Sequence, residues 1–434
     1  MPSQISSTPA ASENGSLTEA LDLVAYNTSL SDEPFEVNKA FHLDSDPRKV
    51  NLSIGVFRSE QGAPWPLPVV QKAEHIVHQE RDPSRHEYVD IVGDEEFLSA
   101  ARDLAFGFNE TTNQQDVSRV ISVQAISGTG ANHLGATLIA RRFKPVNVWL
   151  PDPTWSNHYT IWDFAGIRCR PYPYYNNAAQ LLDLQGMLDL LSTQAQKGDA
   201  IVLHACAHNP TGSDPTQDEW KKIAQACQRL GLIVLFDSAY QGFATGDVDA
   251  DAWAVRYFFH QKLDICVAQS FSKNFGLYGQ RVGVCHVALA DPSTEGTATV
   301  LSRSLLTLSV RSTRWLLDGG SAIVKRVLRD PELRRQWNQD LASMSGRIRS
   351  MREALHRKLV DLQTPGSWGH LLSQVGMFSY TGLDPGQVSI MRQKHHVYML
   401  QSGRISLSGL RSENVSYVAT TIDDVVRNTR RISQ

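Results

Sequence analysis

The chain has 434 residues, with 42 Lys and Arg against 45 Asp and Glu, and a formal net charge of −3. Hydrophobic residues make up 41% and charged residues 20%, ordinary globular usage that excludes collagen-like and disordered classes. The near-neutral balance argues against a nucleic-acid partner, and no apolar run approaches the ~20 residues that span a bilayer.

The length exceeds what one core usually supports, so two domains are expected. Residues 1–31 read as a flexible N-terminal tail or arm, opening with a Ser/Thr/Ala/Asn stretch through Ser16. The first basic residue is Lys39, and nothing before it resembles a signal peptide or a presequence. The five cysteines (Cys169, Cys206, Cys227, Cys266 and Cys285) form no CxxC pair. That pattern fits a reducing compartment, with neither a disulfide framework nor a cysteine-based metal site. A cytoplasmic protein without a metal is the expectation.

From residue 120 onward, short β-rich runs alternate with helical patterns. Strands are expected at Val120–Gln124, Val146–Leu150, Ala200–Cys206, Leu232–Phe236, Ile265–Gln269 and Val282–Val287. Helices are expected at Ala131–Phe143 and Gln217–Leu230. Such alternation implies crossover units and an α/β fold with a mostly parallel sheet flanked by helices. Beyond about residue 315 the texture changes. Ser321–Leu362 is charged and helix-favouring, interrupted at Asp330-Pro331; short strands at Met377–Tyr380 and Ile405–Ser408 and a helix around Asn414–Asn428 follow. This reads as a smaller α+β domain, joined by the extended segment Val50–Arg58. The expected division is a large domain over 65–343 and a small domain formed by 32–64 and 344–434.

Ligands of open parallel sheets bind beyond the carboxyl ends of the strands. The residues there are informative. Ser127-Gly128-Thr129-Gly130 follows the first strand and opens a helix; it is either a capped turn or an anion cradle of amides and hydroxyls. Trp155 follows two prolines after Leu150, as a domain-interface plug or a stacking surface for a flat ligand. Asn209, in an Asn-Pro-Thr-Gly turn after Cys206, forms an Asx turn or meets a ligand. Asp237 follows an apolar run and needs a partner; it caps a helix, or pairs with a cation of the protein or of a ligand. Lys273 follows Ser270 at the mouth of a buried strand, where desolvation lowers an amine's pKa and makes it nucleophilic. Arg281 lies eight residues further on. One ligand satisfies all of these features: pyridoxal 5′-phosphate (PLP), with its anionic group, flat ring, protonated ring nitrogen and aldehyde.

The stretches VNLSIGVFR, HEYVDIVG, SGTGA, LPDPTWSNH, HACAHNPTG, FDSAYQGFA, SFSKNFGLYGQRVG, GMFSYTGL and LQSGRISLSGL, from Val50 to Leu410, together resemble the aspartate/aromatic aminotransferases, which are fold-type I PLP enzymes. The resemblance implies a homodimer that moves an amino group between an α-amino acid and a 2-oxo acid. It implies that Lys273 carries the cofactor as a Schiff base and, once freed, shuttles the substrate's α-proton. Asp237 would keep the ring nitrogen protonated, Tyr240 and Asn209 would bond the ring hydroxyl, and Trp155 would stack on the ring. Ser127, Gly128, Thr129, Ser270 and Arg281 would hold the phosphate, joined by Tyr88 from the neighbouring subunit. Arg404 would grip the substrate α-carboxylate with a bidentate fork, assisted by Gly55 and Asn209, with the small domain closing over the site.

One segment departs from the family. An arginine followed by Ser-Asn-Pro-Pro there binds a dicarboxylate's distal carboxylate; here that arginine falls on Val310, and Val310-Arg311-Ser312-Thr313-Arg314-Trp315 runs in its place. Arg311 or Arg314 takes over only if the loop shifts. Two alternatives follow. One is a PLP enzyme of the same fold that catalyses β-elimination, replacement, decarboxylation or carbon–carbon bond formation. The other is a binding protein on a retired scaffold, which the retention of Lys273 and Asp237 opposes.

Overall fold

The computed structural model describes residues 32–80, 89–291, 303–305, 307–308 and 318–432. The described chain opens with helix α1 (Glu33–Leu43). Seven strands then build the main sheet: β1 (Val120–Ile126), β2 (Asn147–Asp152), β3 (Arg168–Pro173), β4 (Ala200–His204), β5 (Ile233–Ser238), β6 (Ile265–Ser270) and β7 (Val282–Ala288). Their order is β1-β7-β6-β5-β4-β2-β3. Only β7 runs against its neighbours, β1 and β6.

Strands buried on both faces show no polar alternation, and β4, β6 and β7 are buried at every position. The two faces separate residue by residue. Val234 and Phe236 of β5 pack with Ile201, Leu203 and Val267 on one side. Leu235 packs with Val202, Ala268 and Leu134 on the other. Helix α2 (Ser127–Arg142) covers that second face. Helix α3 (Gln217–Leu230) covers the first, opened by a Thr216–Glu219 capping box and closed by Gly231 at φ 64°.

The sequence placed every strand of this sheet except β3. Its run Arg-Cys-Arg-Pro-Tyr-Pro looks like a loop because proline cannot donate to a ladder. It is tolerated here because β3 is an edge strand, paired only with β2. Helix α2 begins at Ser127, four residues before the expected start, so Ser127-Gly128-Thr129 forms its first turn.

The C-terminal part is dominated by helix α4 (Pro331–Asp361), 31 residues long. Its start is fixed by Asp330, whose carboxylate accepts from the N–H groups of Glu332 and Leu333. Trp337, Leu341, Met344, Ile348 and Leu355 of α4 pack against Val418, Ile422 and Val425 of helix α5 (Val415–Ile432) in one apolar cluster. Two small pairings complete this part: Val50–Asn51 parallel to Val397–Tyr398, and Phe378–Tyr380 antiparallel to Arg404–Ser406. Among the described residues no helix is long and apolar enough to cross a membrane.

Candidate active site

The carboxyl ends of β1, β2, β4, β5 and β6 face one cavity of about 100 Å³. It is lined by Ser127, Gly128 and Thr129 after β1, Trp155 after β2 and Asn209 after β4. Asp237 and Tyr240 come from the end of β5, and Ser270 and Lys273 from the end of β6. Arg281 lines it too, because β7 is antiparallel and starts at the edge where its neighbours finish. A contiguous sheet edge thus gathers residues spread over more than 150 positions of sequence.

At one end the groups are hydroxyls around a guanidinium. The Ser127 and Ser272 hydroxyls are 2.7 Å apart. Arg281 Nη1 reaches the Ser272 hydroxyl at 3.4 Å and the Tyr278 carbonyl at 3.0 Å. No carboxylate lies at ion-pair distance from Arg281 among the described residues, and burial lowers its pKa. Gly128 is required here: a Cβ would sit 2.8 Å from Cβ of Ser270. This is a cradle for an anion at the first turn of α2.

At the other end stands Asp237. It lies within β5 rather than after it, which removes the helix-cap alternative. Its Oδ2 accepts from Nε2 of His158 at 3.0 Å, whereas its Oδ1 is buried without a hydrogen-bond partner. Burial pushes this carboxyl up, but the hydrogen bond from His158 and the neighbouring His158, His204 and Lys273 side chains outweigh it, so the net pKa is lowered and Asp237 is ionised.

The bond directions behind Asp237 follow from its two ends. A carboxylate only accepts, so His158 donates from Nε2, and in that neutral tautomer its Nδ1 accepts. Thr154 Oγ1, 2.8 Å from that Nδ1, therefore donates to it. The same oxygen accepts from His204 Nε2 at 3.2 Å, leaving His204 Nδ1 to accept the Asn209 backbone N–H at 3.2 Å. Burial holds the pKa of His204 well below its usual value. The chain of bonds is polarised from the Asn209 amide to Asp237 and adds no charge of its own.

Lys273 Nζ lies between these ends, 5.1 Å from the centre of the Tyr240 ring. Burial lowers its pKa; Asp237 opposes the shift and Arg281 adds to it. Burial raises the Tyr240 phenol pKa.

Arg404 approaches from the C-terminal part. It is buried, lies 4.1 Å over the Phe378 ring, donates from Nη1 to Asn209 Oδ1 at 3.2 Å and from Nη2 to the Ser53 carbonyl at 2.6 Å. Its Nε has no partner, and burial brings its pKa down to about 10. Gly55 packs against the same Phe378; a Cβ there would lie 2.6 Å from the ring.

The structure therefore gathers Ser127, Gly128, Thr129, Trp155, Asn209, Asp237, Tyr240, Ser270, Lys273 and Arg281 around one cavity, and brings Arg404 and Gly55 to its edge through Asn209 and Phe378. Tyr88, Val310, Arg311 and Arg314 lie outside the described residues. The sequence reading missed His158, Thr154, His204 and Asn132. A signal existed for one of them, since His158 is four residues beyond Thr154 in LPDPTWSNH; His204 is marked only by its register with Asp237, β4 against β5, in the structure.

The sequence profile described as "Aminotransferase class I and II" matches residues 47–422. An L-tyrosine:2-oxoglutarate aminotransferase of Aspergillus ustus is 51% identical over 403 residues, 92% of this chain and 77% of that protein. The solved cytoplasmic aspartate aminotransferase of Saccharomyces cerevisiae superposes with a TM-score of 0.88 at 42% identity, covering 92% of this chain and 96% of that one. An aromatic-amino-acid aminotransferase of Burkholderia pseudomallei, solved with covalently bound pyridoxal phosphate, gives a TM-score of 0.88 at 34% identity, covering 95% of this chain and all of that one (100%).

Proposed function

The chain belongs to the class I and II aminotransferase family and is a PLP-dependent aminotransferase acting between an α-amino acid and a 2-oxo acid; from that premise we propose the role of each site residue and the class of amino acid taken. The residues present fit the cofactor. The observation that carries the reading is the unpartnered, buried Oδ1 of Asp237 at one end of the cavity, with the unpaired guanidinium of Arg281 at the other and Lys273 between them. A protonated ring nitrogen answers the first and a phosphate the second.

When bound, PLP supplies an aldehyde that condenses with amines and a protonated ring that withdraws the electron pair left on the substrate's α-carbon. Lys273 would hold the cofactor through Nζ and give way to a substrate amine. The freed amine, its pKa lowered by burial, then takes the α-proton and returns it one position along. Asp237 keeps the ring nitrogen protonated, and the bonds from His158 back to Asn209 keep Asp237 ionised. Tyr240 and Asn209 hold the ring hydroxyl, Trp155 covers the ring, and Ser127, Gly128, Thr129, Ser270 and Arg281 hold the phosphate. Arg404 binds the substrate α-carboxylate through the donors it has left. Closure of 32–64 and 344–434 over 65–343 brings Gly55 and Arg404 down and excludes water.

The enzyme works as a cytoplasmic homodimer, with Tyr88 of a second copy completing the phosphate site. Its donor is an aromatic or uncharged amino acid. Two findings support this: the distal-carboxylate arginine is replaced by Val310, and aligned by sequence over about 400 residues the chain is 51% identical to the tyrosine enzyme and 44% identical to the yeast cytoplasmic aspartate enzyme. The test is kcat/KM for tyrosine and phenylalanine against aspartate, with 2-oxoglutarate as acceptor. The aromatic donors should win. Aspartate winning by orders of magnitude would overturn the substrate assignment, and loss of that preference in Arg311→Ala or Arg314→Ala would identify the arginine that took over.

A further inference from the structure

Helix α1 is fastened to both backbone stretches that present Arg404. Its first residue, Glu33, accepts from the Gln401 N–H at 2.6 Å and from Arg392 Nη2 at 2.9 Å. Gln401 lies in the turn that leads to Arg404, closed by the Gly403 N–H on the Leu400 carbonyl at 2.9 Å. Further along α1, Asn38 Oδ1 accepts from Asn51 Nδ2 at 2.7 Å. Asn51 Oδ1 accepts from the N–H and the hydroxyl of Ser53 at 3.0 and 2.7 Å. The Ser53 carbonyl in turn holds Arg404 Nη2. The helix and the guanidinium are thus positioned as one unit.

Asp32 is the N-cap of α1, one residue before the Glu33 anchor. Asp94, Thr216, Asp330 and Asp384 all cap their helices with side-chain bonds. Asp32 does not. Because Glu33 is bonded to the Gln401 N–H, Asp32 sits beside the turn that presents Arg404; burial raises the pKa of its carboxyl and Arg404 opposes that shift. Glu33 is committed to Arg392 and Gln401. Arg404 has no carboxylate at ion-pair distance among the described residues, and its Nε is buried and unpartnered.

We propose that Asp32 sets the charge selectivity of the site, as a fixed negative charge beside the carboxylate clamp that discriminates against substrates carrying a second carboxylate. The proposal rests on the reading of Arg404 as the α-carboxylate clamp. Every α-amino acid brings one carboxylate to Arg404, so the effect of Asp32 on that group cancels in a ratio of substrates. The second carboxylate of aspartate is only two carbons away and adds a repulsion that no further described cation offsets. For an exposed charge screened by water and salt, this is an effect of about 3- to 10-fold.

The test is the half-reaction. The PLP-loaded protein is mixed with aspartate or with phenylalanine, without a 2-oxo acid, and the change in cofactor absorbance gives an apparent second-order rate constant. Asp32→Asn should raise the constant for aspartate by about 3- to 10-fold, leave that for phenylalanine within about twofold, and lose its effect at high salt. Asp32→Glu should keep the natural ratio. Equal changes for both substrates, or an unmoved ratio, would overturn the proposal. Arg404→Lys is the companion: it should slow both substrates together. If it slows neither, the clamp reading itself fails; if it slows both while Asp32→Asn leaves the ratio unmoved, the role of Asp32 alone fails.

Discussion

Oδ2 of Asp237 accepts a hydrogen bond from Nε2 of His158 at 3.0 Å, while Oδ1 of the same carboxylate is buried with no partner. A buried, ionised oxygen without a donor is costly in an isolated protein. On the proposed reading, a cofactor whose ring nitrogen carries a proton would answer that oxygen. Asp237→Ala should therefore lower turnover by two orders of magnitude or more while the protein stays folded by circular dichroism. Near-native turnover in that variant would remove the electron-sink role. His158 acts only through Asp237, so His158→Leu should cost about 1.5 kcal/mol, roughly tenfold in kcat. It should also change the pH dependence of the cofactor absorbance, which a merely structural defect would not move.

Lys273 is the one amine among the residues lining the cavity. Borohydride treatment of the PLP-loaded protein followed by peptide mass mapping should find the tag on Lys273. Lys273→Ala should lose both the tag and nearly all turnover, on the order of 10²–10⁴-fold or more for removal of a general base. A tag on another lysine would disprove the assignment.

Asp214 anchors the loop that carries Asn209. Its two oxygens accept the N–H groups of Ala207 at 2.6 Å and His208 at 2.9 Å, with Ala207 held at φ 50°. Burial raises this carboxyl from 3.8 to about 6, against the pull of those two bonds. The folded state then binds more protons than the unfolded state between those values, so the stability Asp214 contributes is full below about pH 4 and is lost as pH rises through about 6. Asp214→Asn should destabilise the protein by about 1–3 kcal/mol at low pH. The difference between natural protein and variant in urea unfolding should then shift by on the order of 3 kcal/mol in the variant's favour between about pH 4 and pH 7, closing or reversing the gap. A gap independent of pH would contradict the assignment.

The proposed homodimer is tested through Tyr88. Sedimentation at assay concentration should give a dimer, and Tyr88→Phe should weaken PLP binding by about tenfold, the loss expected for a hydrogen bond to a charged group. A fully active monomer would contradict shared sites.

Much of this architecture was legible in the sequence because strand ends of a parallel sheet converge by topology alone. Once the runs before Ser127, Trp155, Asn209, Asp237 and Lys273 were read as strands, a common edge followed. Arg281 was placed by resemblance, and its physical reason, the reversal of β7, appeared only in the structure. β3 was hidden by its prolines, since propensity does not reveal that a strand will be an edge. His158 and His204 were hidden for a different reason. A histidine's role depends on which ring nitrogen donates, and that is set here by Thr154 and Asp237, which come from other elements. The link from Arg404 through Ser53 and Asn51 to α1 joins residues more than 350 positions apart, and no local pattern encodes it.

The central claim is that Lys273, Asp237 and Arg404 carry out transamination, and the most direct test cycles the amino group. The PLP-loaded protein is mixed with tyrosine, the cofactor absorbance is followed until it is stable, free tyrosine and its 2-oxo acid are removed by gel filtration, and 2-oxoglutarate is then added. The expected result is conversion of the aldehyde form to the amine form with one equivalent of the 2-oxo acid of tyrosine, followed by full return of the original absorbance with one equivalent of glutamate. Release of ammonia or carbon dioxide in the first step, or an absorbance that 2-oxoglutarate does not restore, would contradict it.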